Sequence, residues 1–501
     1  MSVAKKLASQ TAVYGVSSIV GRVLTYLLVP VYTRVFGLAE YGIVTELYAY
    51  VAFLNIVFTY GIETAYFRFA NREGADRQVL YDRVLSLLLV TSLGLSGLLM
   101  LLARPLAEVL RYPGQSRYIV WLALILGLDA VVALPFARLR LENRARKFAT
   151  VRLVNIAVNV GLNLFFIKLC PDVLAGKALP LLRPLVATVY DPTLGVGYVF
   201  LVNLIANALY VPLLARELFG FRFRWPDLAV LQPLLVYAYP LMFMGLAGMV
   251  NEVLDRIVLK YWLPVGFYPG LSNQAAVGVY GACYKLSIFM SLVIQAFRYA
   301  AEPFFFAQST EKNSPATFAL VLKWFTLCCA VIFVGISLNL EDFGLMLGPS
   351  FRSGLGVVPI LLLANLFLGV YYNLSVWFKL TDKTYYGTYI GVGGAVLTVA
   401  LNFLLIPFLG YTGSALATLV CYFGMAVLCW RLGERHFPVP YPALRLGLWL
   451  LFASGLVALG WYVQPEGWWV RHAWHAGLTL GFVAALWLVE QPRRAMAGSA
   501  N

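Results

Sequence analysis

Between Tyr385 and Trp430 the chain carries no Asp, Glu, Lys or Arg. An α-helix needs about 20 predominantly apolar residues to cross the hydrocarbon core of a bilayer. This single stretch is long enough for two crossings, and "PFLGYTG" (Pro407–Gly413) supplies the turn that divides them. Val84 to Ala103 and Leu194 to Ala215 are uncharged in the same way. The rest of the composition agrees. Over 501 residues, 61% are hydrophobic and 12% charged, and mean hydropathy is +0.79. A water-soluble domain carries about 25% charged residues, so this chain has too few charges to coat a surface facing water. The expectation is an all-α polytopic membrane protein.

Fourteen spans are expected, at roughly 11–35, 42–67, 82–103, 118–138, 150–169, 194–215, 231–259, 276–299, 319–340, 355–378, 385–408, 411–430, 443–463 and 472–490. The start, "MSVAKKLASQTAVYGVSSIVGRV", has basic residues and then an apolar stretch that continues to Val35 without a convincing small-residue cleavage site. It reads as a first spanning helix rather than a signal peptide. An even number of spans puts both termini on one side. The loops of that side hold most of the 38 Lys and Arg residues. The opposite loops hold Arg34, Arg104, Arg111, Arg117, Lys168, Lys177, Arg183, Lys260, Arg352 and Arg471. Basic residues collect on cytoplasmic loops, so both termini are expected in the cytoplasm. That bias also accounts for the net charge of +15 without nucleic acid as a partner. The richest basic loop, "ARLRLENRARKFATVR" (Ala137–Arg152), reads as an orientation determinant, or as a contact for anionic lipid head groups.

The two halves repeat. "AEYGIVTELY" (Ala39–Tyr48) matches "AAVGVYGACY" (Ala275–Tyr284), "LRLENR" (Leu139–Arg144) matches "FKLTDK" (Phe378–Lys383), and "LNLFFI" (Leu162–Ile167) matches "LNFLLI" (Leu401–Ile406). The order is the same in both halves and the offsets are 236 to 239 positions. Spans one to six therefore repeat as seven to twelve. The expected organisation is a six-helix lobe at 1–225, a second at 226–435, and two further helices with a tail at 436–501. Two repeats in parallel orientation can rock about a central cavity that binds cargo, the arrangement of a transporter.

"TRVFGLAEYGIVTELYAYVAFLNIVFTYGIETAYFRFAN" (Thr33–Asn71) resembles the start of the bacterial polysaccharide-biosynthesis flippases, with Arg34, Gly37, Tyr41 and Gly42 on the family pattern. "VGVYGACYKLS" (Val277–Ser287) resembles the corresponding opening of the second half. The resemblance runs from Ala12 to about Trp430. It implies a member of the multidrug/oligosaccharidyl-lipid/polysaccharide exporter superfamily, in the bacterial cytoplasmic (inner) membrane. The cargo it implies is an undecaprenyl-diphosphate-linked oligosaccharide for O-antigen, capsule or exopolysaccharide. That cargo would move from the inner to the outer leaflet by alternating access and reach the polysaccharide polymerase machinery. No covalent chemistry is implied, so the chain is not read as an enzyme. The lipid II flippases and a cation-coupled multidrug antiporter of the same superfamily are the alternatives.

Ionisable side chains inside membrane spans are functional candidates. Arg22 and Tyr26 share a face of the first span, Glu46 lies in the second, Asp129 in the fourth, Asp255 and Arg256 in the seventh and Lys285 in the eighth. These seven are the expected cavity residues, with Arg able to grip a diphosphate bidentately. The competing structural readings are an Arg22–Glu46 pair and an intrahelical Glu252–Arg256 pair. Tyr48, Tyr50, Tyr60, Tyr66, Tyr280 and Tyr284 are candidates for stacking on sugars. The six cysteines form no CxxC pair or His/Cys cluster. No metal or cofactor is expected, and a coupling ion would be a proton or sodium.

Overall fold

In the computed structural model, which describes residues 20–490 apart from 22, 75 and 309–313, all described regular structure is helical. The principal helices are α1 (Val23–Val35), α2 (Leu38–Thr59), α3 (Ile62–Ala70), α4 (Arg77–Leu101), α5 (Ser116–Leu141), α6 (Ala145–Leu164), α7 (Gly197–Ala208), α8 (Leu228–Trp262), α9 (Asn273–Leu286), α10 (Ile288–Gln308), α11 (Ser314–Leu338), α12 (Val358–Leu374), α13 (Tyr385–His436), α14 (Ala443–Tyr462) and α15 (Trp468–Glu490). Among the described residues ten helices are long and apolar enough to cross a membrane, or eleven if Asn273–Leu286 and Ile288–Arg298 count as one broken span. Two shorter apolar helices, Val23–Val35 and Gly197–Leu213, lie within the first and sixth expected spans.

Local sequence explains several boundaries. Asp76 begins α4 by accepting hydrogen bonds from the Gln78 and Val79 amides, each at 3.0 Å. Asp227 does the same for α8 through the Ala229 amide at 3.0 Å. An N-terminal acceptor of this kind satisfies amides that have no partner within the helix. The turn expected at "PFLGYTG" is a break inside α13 at Gly410, whose φ of 57° and ψ of −138° lie outside the helical region. Positive φ is tolerated there because glycine has no Cβ. Tyr268 holds the break. Its hydroxyl accepts from the Tyr411 amide at 3.2 Å, and the two rings stack at 4.4 Å.

The chain divides into two compact units. The first contains residues 1–285, 347–351 and 391–414. Its core joins α3, α4, α5 and α8 through Ile62, Tyr66, Tyr81, Leu85, Leu134 and Leu234. A second cluster, with Phe136, Phe148 and Tyr210, ties α5 to α6 and to the segment after α7. Much of the charge in the basic loop is paired inside this unit. Arg138 meets Glu142 at 2.6 Å, and Arg140 pairs with Glu63. Arg144 and Lys147 both reach Glu217, at 3.0 and 2.5 Å. Lys260, expected in an outer loop, is instead a buried residue in the last turn of α8.

The repeat has a direct structural consequence in this unit. α2 and α9 carry the two copies of the repeated motif, and they touch at equivalent positions. A Cβ on Gly42 would fall on the Gln274 carbonyl oxygen. A Cβ on Gly278 would fall on the Leu38 carbonyl oxygen and 3.0 Å from the Gly42 nitrogen. Gly42 corresponds to Gly278, and Leu38 to Gln274, so the contact is reciprocal, as around a two-fold axis. Small residues are what allow backbones to approach this closely between membrane helices.

The second unit contains residues 286–346, 352–390 and 415–501. α11 packs on α10, α12, α14 and α15. Glu490 joins three of these helices. It pairs with Lys323 of α11 at 2.5 Å and Arg445 of α14 at 2.6 Å, and accepts from the Trp449 indole at 2.8 Å. Trp377 stacks on His436 at 5.3 Å and donates to the Cys429 carbonyl at 3.1 Å. An apolar cavity of about 460 Å³, lined without any charged side chain, lies among α11, α12, α13 and α14.

Candidate substrate cavity

A cavity of about 440 Å³ lies inside the first unit, with side chains from α1, α2, α6, α7, α8 and α9 on its wall. Its lining falls into two chemically distinct parts. The charged groups, Glu252, Arg256 and Lys285, all stand on α8 and α9. The amides, Asn155, Asn159, Asn163, Asn203 and Asn207, all stand on α6 and α7. α1 and α2 touch both parts and contribute Tyr26, Tyr32, Tyr41 and Tyr48.

On the charged side, the Lys285 ammonium lies 5.2 Å from the centre of the Tyr26 ring. No carboxylate is within ion-pair distance of it among the described residues. Arg256 is more constrained. Its guanidinium lies 4.0 Å over the Tyr284 ring, a favourable cation–π placement. It donates to the Glu252 backbone carbonyl at 2.6 Å and lies 3.4 Å from the Asp255 carboxylate. Asp255 is buried, and it also accepts from the Tyr280 hydroxyl at 2.5 Å and the Arg256 amide at 2.9 Å. The ion-pair partner of Arg256 is therefore its neighbour Asp255, not the Glu252 carboxylate one turn away.

The amide side is cross-linked. The Tyr32 hydroxyl donates to Asn163 Oδ1 at 2.8 Å, and Asn163 Nδ2 donates to the Asn159 backbone carbonyl and to Asn159 Oδ1 at 2.8 and 3.0 Å. Asn155 Nδ2 donates to the Ala206 carbonyl at 2.7 Å and to Asn207 Oδ1 at 3.3 Å. Asn207 Nδ2 donates to Asp129 at 2.9 Å, and Asn203 Nδ2 donates to the Tyr48 hydroxyl at 2.6 Å. Interhelical bonds of this kind contribute about 0.6–2 kcal/mol each in membranes. Together they hold the wall in one arrangement.

Of the seven expected residues, Tyr26, Arg256 and Lys285 line the cavity. Asp129 lies behind the wall under Asn207, and Asp255 lies behind Arg256. Glu46 is not part of the lining. It is fully buried in a separate cluster, where Lys260 Nζ donates to its two oxygens at 3.0 and 2.8 Å. The Tyr112 and Tyr261 hydroxyls also bond to its carboxylate. Arg22 lies outside the described residues, and with it the expected Arg22–Glu46 pair. Tyr48 and Tyr284 face the cavity, whereas Tyr66 and Tyr280 are core residues. The amides are not among the expected residues. Their signal is nevertheless present as asparagine every fourth position in "NIAVNVGLN" (Asn155–Asn163) and again in "NLIAN" (Asn203–Asn207), the spacing that aligns side chains on one helix face.

A family model described as "Polysaccharide biosynthesis protein" matches residues 7–308. No curated protein sequence matches the chain. Among solved structures, the lipid II flippase MurJ in its inward closed conformation is similar at a TM-score of 0.70 and 14% identity, over 95% of this chain and 98% of that one. An inward-facing multidrug resistance MATE family transporter of the MOP superfamily is similar at 0.63 and 13% identity, over 82% and 93%. An outward-facing transporter of that MATE family is similar at 0.57 and 14% identity, over 85% and 95%. At these identities the likeness is one of fold, and it agrees with the helical membrane architecture. The family match covers more than half of the chain and includes every helix that lines the cavity; the chain belongs to the polysaccharide biosynthesis protein family, on the fold of the MOP superfamily.

Proposed function

We propose that this protein is a flippase for undecaprenyl-diphosphate-linked oligosaccharide, moving it from the inner to the outer leaflet of the bacterial cytoplasmic membrane. The observation that carries this reading is the two-part cavity lining, a lysine ammonium on α9 beside a wall of amides on α6 and α7, with phenols from α1 and α2 between them. A lipid diphosphate carrying sugars needs both chemistries. Its anionic diphosphate cannot enter hydrocarbon without a counter-charge, and its hydroxyls cannot enter without hydrogen-bonding partners. Lys285 supplies the charge, with Arg256 beside it, and the amides supply the partners. The lipid tail stays in the bilayer, and two six-helix lobes rocking about the cavity alternate its access. In this reading both termini lie in the cytoplasm, the first and second lobes are 1–225 and 226–435, and the delivered cargo is taken up by the polymerase machinery. No bond is made or broken, so the protein supplies a path and no catalytic group.

The test is deletion in the native host with analysis of lipid-linked intermediates. Deletion is expected to leave undecaprenyl-linked oligosaccharide on the inner leaflet. Lys285→Gln, at matched protein level, is expected to lower transport about 10–100-fold, the weight of a hydrogen bond to a charged group. One observation favours a second reading. Glu252 lines the cavity and is exposed there, without an ion pair among the described residues, which suits a cation-coupled multidrug antiporter. Normal surface glycan with lost dye efflux would establish that reading and overturn the flippase.

A further inference from the structure

The hydrogen bonds of the α6–α7 wall use only part of its capacity. Asn163 and Asn207 are engaged through both their carbonyl and amino groups. Three asparagines are engaged on one side only. Asn159 accepts through Oδ1, and Asn155 and Asn203 donate through Nδ2. Among the described residues this leaves Asn159 Nδ2 as a donor and the Oδ1 atoms of Asn155 and Asn203 as acceptors. The Tyr48 oxygen already accepts from Asn203, so its proton is a further donor. All four groups belong to residues on the cavity wall.

Donors and acceptors thus stand together on a neutral surface, with the ring of Tyr48 among them. Sugar hydroxyls both donate and accept, and the C–H face of a pyranose suits an aromatic ring. No cation lines this part of the cavity among the described residues. Arg152 of α6 is held over Phe136 and Phe148, at 5.0 and 5.1 Å, and is not in the lining. Behind the wall the Asp129 carboxyl, under Asn207, faces Arg152 closely enough to interact with it electrostatically, so that cation already has an anionic neighbour. A sugar carboxylate placed here would be desolvated without a counter-charge.

We infer that the α6–α7 wall is a sugar subsite selective for a neutral hexose or N-acetylhexosamine over a uronic acid. This rests on the flippase reading above, with the diphosphate toward Lys285. The test uses the purified full chain and three probes: a short-chain prenyl diphosphate, the same lipid bearing N-acetylglucosamine, and the same lipid bearing glucuronic acid. The N-acetylglucosamine probe binds most tightly. Asn159→Ala weakens it about 3–10-fold, the effect of one lost neutral hydrogen bond, and leaves the bare diphosphate unchanged. Asn159→Asp, nearly the same shape, does the same by removing the two amide donors. Lys285→Gln weakens all three probes. If the bare diphosphate does not bind, the flippase reading fails. If it binds but the sugar adds no affinity, the subsite is wrong while the flippase stands. The same conclusion follows if glucuronate binds as tightly as N-acetylglucosamine, or if both Asn159 variants weaken bare and sugar-bearing probes alike.

Discussion

Lys260→Met is expected to be among the most destabilising single substitutions in this protein, costing about 3–5 kcal/mol, because it leaves the Glu46 carboxylate buried without a counter-charge. The cluster is fully connected in the native chain. Lys260 is 4% exposed and Glu46 is 0% exposed. The ammonium gives its three protons to the two Glu46 oxygens and to the Leu110 carbonyl, the last at 2.6 Å. It also lies 4.0 Å over the Tyr112 ring. Removing one partner of a buried pair costs far more than the pair contributes, since the desolvation of the remaining charge is no longer offset. The double variant Glu46→Leu with Lys260→Met should therefore recover most of the loss. Thermal unfolding of the detergent-purified variants reads both effects. A single variant that melts with the wild type, or a double variant as unstable as the single, would show that the pair is not the element holding α2 to α8.

The second large effect is at the reciprocal glycine contact. Gly278→Ala is expected to cost about 1–3 kcal/mol, the range for overpacking a close-packed site, and Gly278→Leu to prevent the α2–α9 contact from forming. The reason is what the new carbon meets. At Gly278 it meets the Leu38 carbonyl and the Gly42 amide, which are backbone and cannot rotate away. The helices must separate, and the equivalent contact at Gly42 is lost with the first. Gly248 on α8 is the internal control, because a Cβ there meets nothing within 4 Å. Gly248→Ala should be neutral or raise stability by up to about 1 kcal/mol, from helix propensity alone. Equal melting of Gly278→Ala and Gly248→Ala would refute the close-packing account.

These two sites show what is legible in a single chain of this kind. The helical membrane architecture follows from local properties, namely the lengths of the apolar runs and their lack of charge. The motif around Gly42 and its copy around Gly278 is also local, and so is the asparagine spacing on α6. That spacing is legible in "NIAVNVGLN" even though attention to charge passes over it. Tyr26, Arg256 and Lys285 are recognisable as deep polar groups for the same reason.

Local sequence alone is thus enough for a helical membrane architecture, the repeated motif, a turn within Pro407–Gly413 and a short list of polar groups that lipid would not tolerate unpaired. Which of those groups face the cavity was decided by tertiary structure alone. Glu46 and Lys260 are 214 positions apart, and no spacing rule joins residues across such a distance. Asp255 satisfies Arg256 from the adjacent position, where helical periodicity pointed to Glu252 one turn away. The Asn203 amide meets the Tyr48 hydroxyl across 155 positions. In each case the charge or amide has to find a partner, which its chemistry requires, but the partner is set by which helix faces pack together. That depends on the fit of many side chains at once, and so it becomes visible only in the assembled fold.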